Sequence, residues 1–286
     1  MGDRILVTGA TGRVGGALAN LLMKADFELR IATRKPAKVS EKLKQSVETV
    51  LFDYEDNSTF GPALKGINKL FLTVRPGDNH SDAFAIPVID EAKKSGVKHI
   101  VALTAMGVEQ DETFMLRKLE RYIENSGIPF THLRPNWFMQ NFDSGFIHAD
   151  ILKTSSIHLP ASDAKISFVD VRDIAEVAFT VLSSDKHYGK AYTLTGNESL
   201  THYDVAAKIS ALIGKKVSYV PLSEGHAKEI LTQSGTPEEL IERWIQFFRK
   251  VRSGFCSPVT SDIESILGRK PVLFDQYVND YGEFWN

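Results

Sequence analysis

Gly9, Gly12 and Gly15, within the run Val7-Thr8-Gly9-Ala10-Thr11-Gly12-Arg13-Val14-Gly15-Gly16, have the residue type and spacing to cradle a phosphate ester. The chemistry asks something different of each. One glycine makes a tight turn, one lets the backbone approach a pyrophosphate, and one allows a helix to pack closely on a strand with its amino end facing the anion. A glycine triplet alone is a weak signal. Here Ile5-Leu6-Val7 precedes it, Ala17-Leu18-Ala19-Asn20-Leu21-Leu22 follows with helical spacing, and Glu28-Leu29-Arg30-Ile31-Ala32-Thr33 reads as a second strand. That setting favours a nucleotide-binding turn over a glycine-rich loop that merely closes a βαβ unit.

The second chemical feature lies where that next strand ends. An NAD site usually places a carboxylate there, about 20 residues past the glycines, to bond the ribose hydroxyls. This chain has Thr33-Arg34-Lys35 instead, with Lys38 one helical turn on. These cations would pair a 2′-phosphate, so the expected cofactor is NADP(H). Arg34 is the leading contact because its planar fork bonds phosphate and stacks on an adenine face. The competing reading is a solvated helix entrance.

Such residues need a sheet to position them, and the chain supplies alternating elements. Residues 47–52, 69–74, 99–104 and 130–134 are short β-rich runs, separated by helical patterns at about 57–66, 81–95 and 112–126. Several runs are apolar on both faces, as in a parallel sheet covered by helices on each side. Beyond Pro135 we expect a helix near 138–152, a strand around Ile166-Ser167-Phe168-Val169, a helix at 171–183 and a strand at 191–195. Helical patches follow at 201–213, 223–234, 237–251 and 274–284. The expected fold class is α/β, a doubly wound parallel (Rossmann) sheet with a smaller, mostly helical C-terminal lobe. Residues 1–155 would form the dinucleotide-binding core; 156–286 would complete the sheet over about 166–195 and form the substrate lobe.

Composition narrows the function classes. Lys+Arg 34 against Asp+Glu 36 leaves a net charge of −2 with no basic block, so nucleic acid is not an expected partner. No apolar stretch approaches the roughly 18 residues of a membrane helix, and no signal-peptide pattern opens the chain, so a cytoplasmic location is expected. The single cysteine, Cys256, reads as a buried thiol. The eight histidines show no close pair at metal-ligand spacing, and no metal site is expected. No Gly-x-Ser-x-Gly elbow appears, and Lys153-Thr154-Ser155-Ser156 reads as loop. A small-molecule substrate is the expected partner; self-association into a homo-oligomer is left open.

With these features assembled, the chain resembles the atypical (extended-type) short-chain dehydrogenases/reductases of the NmrA-like group, which includes the type 2 quinone oxidoreductases. The resemblance covers nearly the whole chain. It is carried by residues 8–15, by Ala32-Thr33-Arg34-Lys35-Pro36-Ala37-Lys38, Phe52-Asp53-Tyr54 and Lys118-Leu119-Glu120, and by the more particular runs Leu133-Arg134-Pro135-Asn136-Trp137-Phe138-Met139-Gln140-Asn141 and Phe168-Val169-Asp170-Val171-Arg172-Asp173-Ile174-Ala175. It implies a cofactor site built from Gly9, Thr11, Gly12, Arg13, Val14, Gly15, Arg34, Lys38, Asp53, Tyr54, Thr73, Val74, Arg75, Thr104, Lys118, Pro135, Asn136 and Trp137. Within it Asp53 would contact adenine, Thr73-Val74-Arg75 would lie along the ribose and pyrophosphate, and Pro135-Asn136-Trp137 would line the nicotinamide. Phe114, Trp137, Phe138 and Asn141 would form the substrate pocket. Structural roles compete for several of these: Asp53 as a turn cap, Asp173 as a helix cap, and Trp137 and Phe138 as core aromatics. The stripe Trp244, Phe247, Phe248 is expected to be core, with pocket lining the minority reading.

The family's usual catalytic pair is Tyr and Lys four residues apart on a helix, which sets both on one face. None of the eight tyrosines here has that lysine; the equivalent segment is Phe114-Met115-Leu116-Arg117-Lys118. Lys118 can still hold the nicotinamide ribose, whereas Phe114 cannot donate a proton. Ketone reduction develops an alkoxide and needs an acid, with Thr104 or Tyr122 the nearest alternatives by sequence. A quinone, imine or iminium, conjugated acceptor or cationic aromatic takes hydride without a strongly basic oxyanion. The expected function is NADPH-dependent hydride transfer to such an acceptor; the alternative is a catalytically weak NADP(H)-binding redox sensor.

Overall fold

A computed structural model of the protein describes residues 2–25, 27–42, 47–74 and 81–285. The expected alternation is present: β1 (Arg4–Val7), α1 (Arg13–Leu22), β2 (Glu28–Thr33), α2 (Pro36–Lys42), β3 (Glu48–Leu51), α3 (Phe60–Leu64), β4 (Lys69–Thr73), α4 (Ser81–Lys94), β5 (His99–Leu103), α5 (Met115–Asn125) and β6 (Phe130–Pro135). Then come α6 (Gly145–Thr154), β7 (Ser156–Leu159), α7 (Val171–Leu182), β8 (Lys190–Leu194), α8 (His202–Ile213), β9 (Ser218–Pro221), α9 (Glu224–Gln233), α10 (Glu238–Arg252), α11 (Asp262–Leu267) and α12 (Phe274–Asp280).

Seven strands form one sheet in the order β3-β2-β1-β4-β5-β6-β8, and every neighbouring pair is parallel. This is a doubly wound Rossmann sheet, whose strand order reverses between β1 and β4. The physical cause is visible in β1 and β4, where Ile5, Leu6, Val7, Leu70 and Phe71 are all fully buried. A strand apolar on both faces must be covered on both faces. Leu6, Leu70, Leu72, Ile100 and Ala102 pack with residues of α3, α4 and α5. α7 packs against α1.

The chain forms two compact units. One comprises residues 1–135, 171–194 and 265–268; the other comprises 136–170, 195–264 and 269–286. The expected cut at 155/156 differs from this division, because the chain leaves the first unit at Pro135 and returns to it for α7 and β8. The second unit holds the parallel pair β7–β9 over an aromatic core that includes Phe142, Phe168, Phe248, Phe274 and Tyr277.

Three local expectations are corrected. Residues 166–169 do not join the large sheet; they make single bridges, Phe138 with Val169 and Ile166 with Leu200. Their backbone is taken up within the second unit, where Val169 N–H donates to Trp137 O at 2.8 Å and Ser167 N–H to Cys256 O at 3.0 Å. The helix expected at 138–152 is a 3-10 turn at Met139–Asn141 followed by α6. The expected loop at 153–156 is the end of α6, closed by Ser155 in the left-handed region (φ 52°), and the start of β7.

Candidate functional site

The glycine turn follows β1 directly. Gly9 has φ +63°, a conformation that favours glycine, and an added Cβ there would collide with Thr73 Oγ1. Gly12 N–H donates to Gly9 O at 2.8 Å and closes the turn. An added Cβ on Gly15 would run into the same carbonyl, whereas one on Gly12 would sit 3.1 Å from it. Gly15 is therefore the packing glycine. Thr11, Gly12 and Arg13 are exposed, while Val14 is buried and anchors the helix. The amino end of α1 has no side-chain cap and no acidic residue in its first turn. The positive end of the helix dipole thus stands at this turn with no acidic side chain of the first turn to offset it.

Thr8 ties this turn to β4. Its hydroxyl donates to Phe71 O at 3.1 Å and accepts from Thr73 N–H at 2.8 Å. The Tyr54 hydroxyl donates to Thr73 O, and burial pushes that phenol well above its usual range. Tyr54 thus braces the end of β4. Val74 is half-buried; Arg75 lies outside the described residues. Asp53 accepts from Glu55 N–H at 3.2 Å, the turn-capping role. Arg34, Lys35 and Lys38 are exposed, and Arg34 forms no ion pair among the described residues.

Further along the same edge, β5 ends at Leu103 and β6 at Pro135, whose carbonyl accepts from Met106 N–H at 3.0 Å. Phe114 caps α5 and is 43% exposed; Lys118, one turn on, is exposed beside it. Both proton donors named from sequence are committed elsewhere. Thr104 is buried and donates to Glu120 Oε1 at 2.8 Å, and Tyr122 donates to Asp90 Oδ1 at 2.6 Å. Glu120 is fully buried. Burial alone would raise its carboxyl, but the Arg134 hydrogen bonds and nearby charges hold it below the usual range. Glu120, Glu124 and His132 bring ligand atoms within 4.8 Å of one another, a grouping not evident from histidine spacing. Arg117 and Arg134 already bond Glu120 there, each at 2.8 Å, so guanidinium supplies the positive charge that a metal would bring.

In the second unit, Asn136 is buried. Its amide donates to Ser167 Oγ and Cys256 O, both at 2.8 Å; these bonds give its amide nitrogen a structural role. Trp137 stacks on Phe247 with ring centroids 5.4 Å apart and 8° between planes. Phe138 and Asn141 are half-buried. Phe248 is core and Trp244 and Phe247 are partly buried against it. Cys256 is buried, which pushes its thiol up to about 11. Sequence reasoning missed His202, fully buried among Trp137, Phe142, Phe168 and Tyr219. A histidine directly after the capping residue Thr201 carries no signal that would foretell this. It also missed the role of Glu120, although the i, i+3 spacing from Arg117 signalled a pair.

Among the described residues, no helix is long and apolar enough to cross a membrane. The NmrA-like family matches residues 1–277. The chain is 30% identical to the NAD(P)H azoreductase of Xenophilus azovorans over 96% of both chains. It is also 30% identical to quinone oxidoreductase 2 of Escherichia coli, over 83% of this chain and 84% of that one. Among solved structures, the Citrobacter sp. triphenylmethane reductase complexed with NADP(H) superposes with a TM-score of 0.83 at 26% identity, covering 98% of this chain and 99% of that one. The glycine turn, the strand order and these likenesses agree, and the chain belongs to the NmrA-like family.

Proposed function

We propose that this protein is an NADPH-dependent oxidoreductase that delivers hydride to a small, electron-poor acceptor such as a quinone, an imine or iminium, a conjugated compound or a cationic aromatic. The observation that carries the acceptor class is at α5. Phe114 stands one turn before Lys118, and the hydroxyls of Thr104 and Tyr122 are held by Glu120 and Asp90. No proton donor named from sequence is therefore free beside Lys118. Acceptors that stabilise the added electrons themselves need none. The azo, quinone and triphenylmethane chemistry in the relatives' names supports the same class.

The residues fit the cofactor. The turn at Gly9, Thr11 and Gly12 and the amino end of α1 from Arg13 to Gly15 would take the pyrophosphate. Arg34, which forms no ion pair among the described residues, would take the 2′-phosphate, with Lys38 adding charge. Asp53, Thr73 and Val74 would flank the adenosine side and Lys118 would hold the nicotinamide ribose. When bound, NADPH supplies the hydride; the chain supplies orientation and a dry, aromatic setting.

The test is a stopped-flow record of NADPH absorbance against a quinone, an azo dye, a triphenylmethane dye and an aliphatic ketone. Rapid loss with the first three and none with the ketone is expected. Efficient ketone reduction would overturn the acceptor class, and tight NADPH binding without oxidation by any acceptor would favour a redox sensor.

A further inference from the structure

Two sequence runs that carry no part in the proposed cofactor contacts, Leu119-Glu120 and Leu133-Arg134, meet beneath α5. Glu120 Oε1 accepts from Thr104 Oγ1 at 2.8 Å and from Arg134 Nε at 2.9 Å. Its Oε2 accepts from Arg134 Nη2 and Arg117 Nη1, both at 2.8 Å. Thr104 directly follows β5 and Arg134 lies in β6, so this one carboxylate ties α5 to the carboxyl ends of two neighbouring strands. Two residues of helix correspond to about 200° of rotation. Glu120 is accordingly buried while Lys118 is exposed, and Phe114 shares the Lys118 side at i, i+4.

We propose that Glu120 is a positioning residue, a buried pin that sets the rotation and height of α5 and thereby fixes where Lys118 and Phe114 stand. This rests on the reading of Lys118 given above. Surface ion pairs could not do the same work, since their geometry is loose and their energies small. A bidentate arginine–carboxylate pair completed by a hydroxyl and shielded from water is directional and strong. Glu112 and Arg121 extend the network outward but are more than half exposed, so they add charge without fixing position.

The test is a double-mutant cycle of wild type, Glu120→Gln, Lys118→Ala and the double variant. NADPH-binding sites are counted by fluorescence titration, and turnover per site is measured with one quinone. Glu120→Gln should lower kcat per site by about ten- to a hundredfold, the scale of a displaced contact of about 1 Å. The quinone KM should stay within about twofold, and in the Lys118→Ala background the same change should also cost less than about twofold. Equal losses in both backgrounds, or undiminished turnover in Glu120→Gln, would overturn the proposal and leave a purely structural carboxylate. If Glu120→Gln does not fold, Thr104→Val, which removes one of the four hydrogen bonds, enters the same cycle with a smaller loss and the same non-additivity. If the wild type binds NADPH but reduces no acceptor, the functional reading fails while the pin is decided by the same cycle in NADPH dissociation constants. Additivity there would overturn it, and absence of NADPH binding would overturn both.

Discussion

Two arginine-bearing regions of the first unit use the same side chain in opposite ways. Beneath α5, Arg117 and Arg134 are largely withdrawn from solvent, with 7% and 12% of their side chains exposed, and both bond the buried Glu120. At the end of β2, Arg34 is exposed and has no carboxylate partner among the described residues. An arginine whose charge is neutralised inside the fold fixes elements against one another. One held out without a partner keeps its charge for a ligand. The difference lies in which acids reach each arginine, not in the arginines.

The largest effect that should separate the two regions comes from removing the buried acid. Glu120→Leu leaves Arg117 and Arg134 without their shared counter-charge and should cost about 3–5 kcal/mol of stability, read by urea denaturation at pH 7. A loss below about 1 kcal/mol, the size of an exposed pair, would place Glu120 with the surface bridges.

Acid offers a graded version of the same attack. His132 is fully buried beside this network, and burial lowers its imidazole from 6.5 to about 4. Between those values the unfolded chain binds a proton that the folded one refuses. Stability should therefore fall as the pH drops from 6.5 to about 4, by up to about 1.4 kcal/mol per pH unit for this group. Glu120, held below the usual carboxylate range, contributes fully above that range and loses its contribution progressively as the pH falls from there to its lowered folded value. His132→Phe should flatten the upper part of that profile, while Arg34→Ala should run parallel to wild type. Denaturation midpoints across the pH range for the three proteins decide this, and an unflattened His132→Phe profile would contradict it.

At the outward region the effect moves from stability to binding. Arg34→Ala should weaken NADPH binding at least about tenfold, the scale of one charge-assisted bond, with NADH affinity and unfolding unchanged. Calorimetric titrations with both cofactors check it; equal losses for the two would remove the 2′-phosphate role. The smallest effect belongs to Arg121, which is 51% exposed and pairs with Glu112 and Glu124. Arg121→Gln should leave denaturation midpoint and cofactor affinity unchanged, and a shift in either would show that the outer pairs carry more than surface charge.

Much of the fold was legible because its causes are local. The runs 5–7, 69–74 and 99–104 are apolar on both faces, which calls for a doubly covered parallel sheet, and the glycine spacing calls for the turn observed after β1. Residues 166–169 misled because alternation marks a strand without naming its partner, and here Trp137, Cys256 and Leu200 supply the hydrogen bonds. The resemblance implies that Asn136 lines the nicotinamide, and only the fold shows that its amide nitrogen donates to Ser167 and Cys256.

The sequence by itself determined the parallel α/β core, the glycine spacing of the turn after β1, the absence of an acid at the end of β2 and the placing of Phe114 four residues before Lys118. These follow from residue type and short-range spacing, which obey fixed periodicities. Only the tertiary structure decided that Glu120 joins Thr104 and Arg134, that the hydroxyls of Thr104 and Tyr122 donate to Glu120 and Asp90, and that Arg34 has no ion-pair partner among the described residues. Those outcomes depend on contacts between residues distant along the chain, and a side chain's electrostatic role is set by the partners that folding brings within hydrogen-bonding distance.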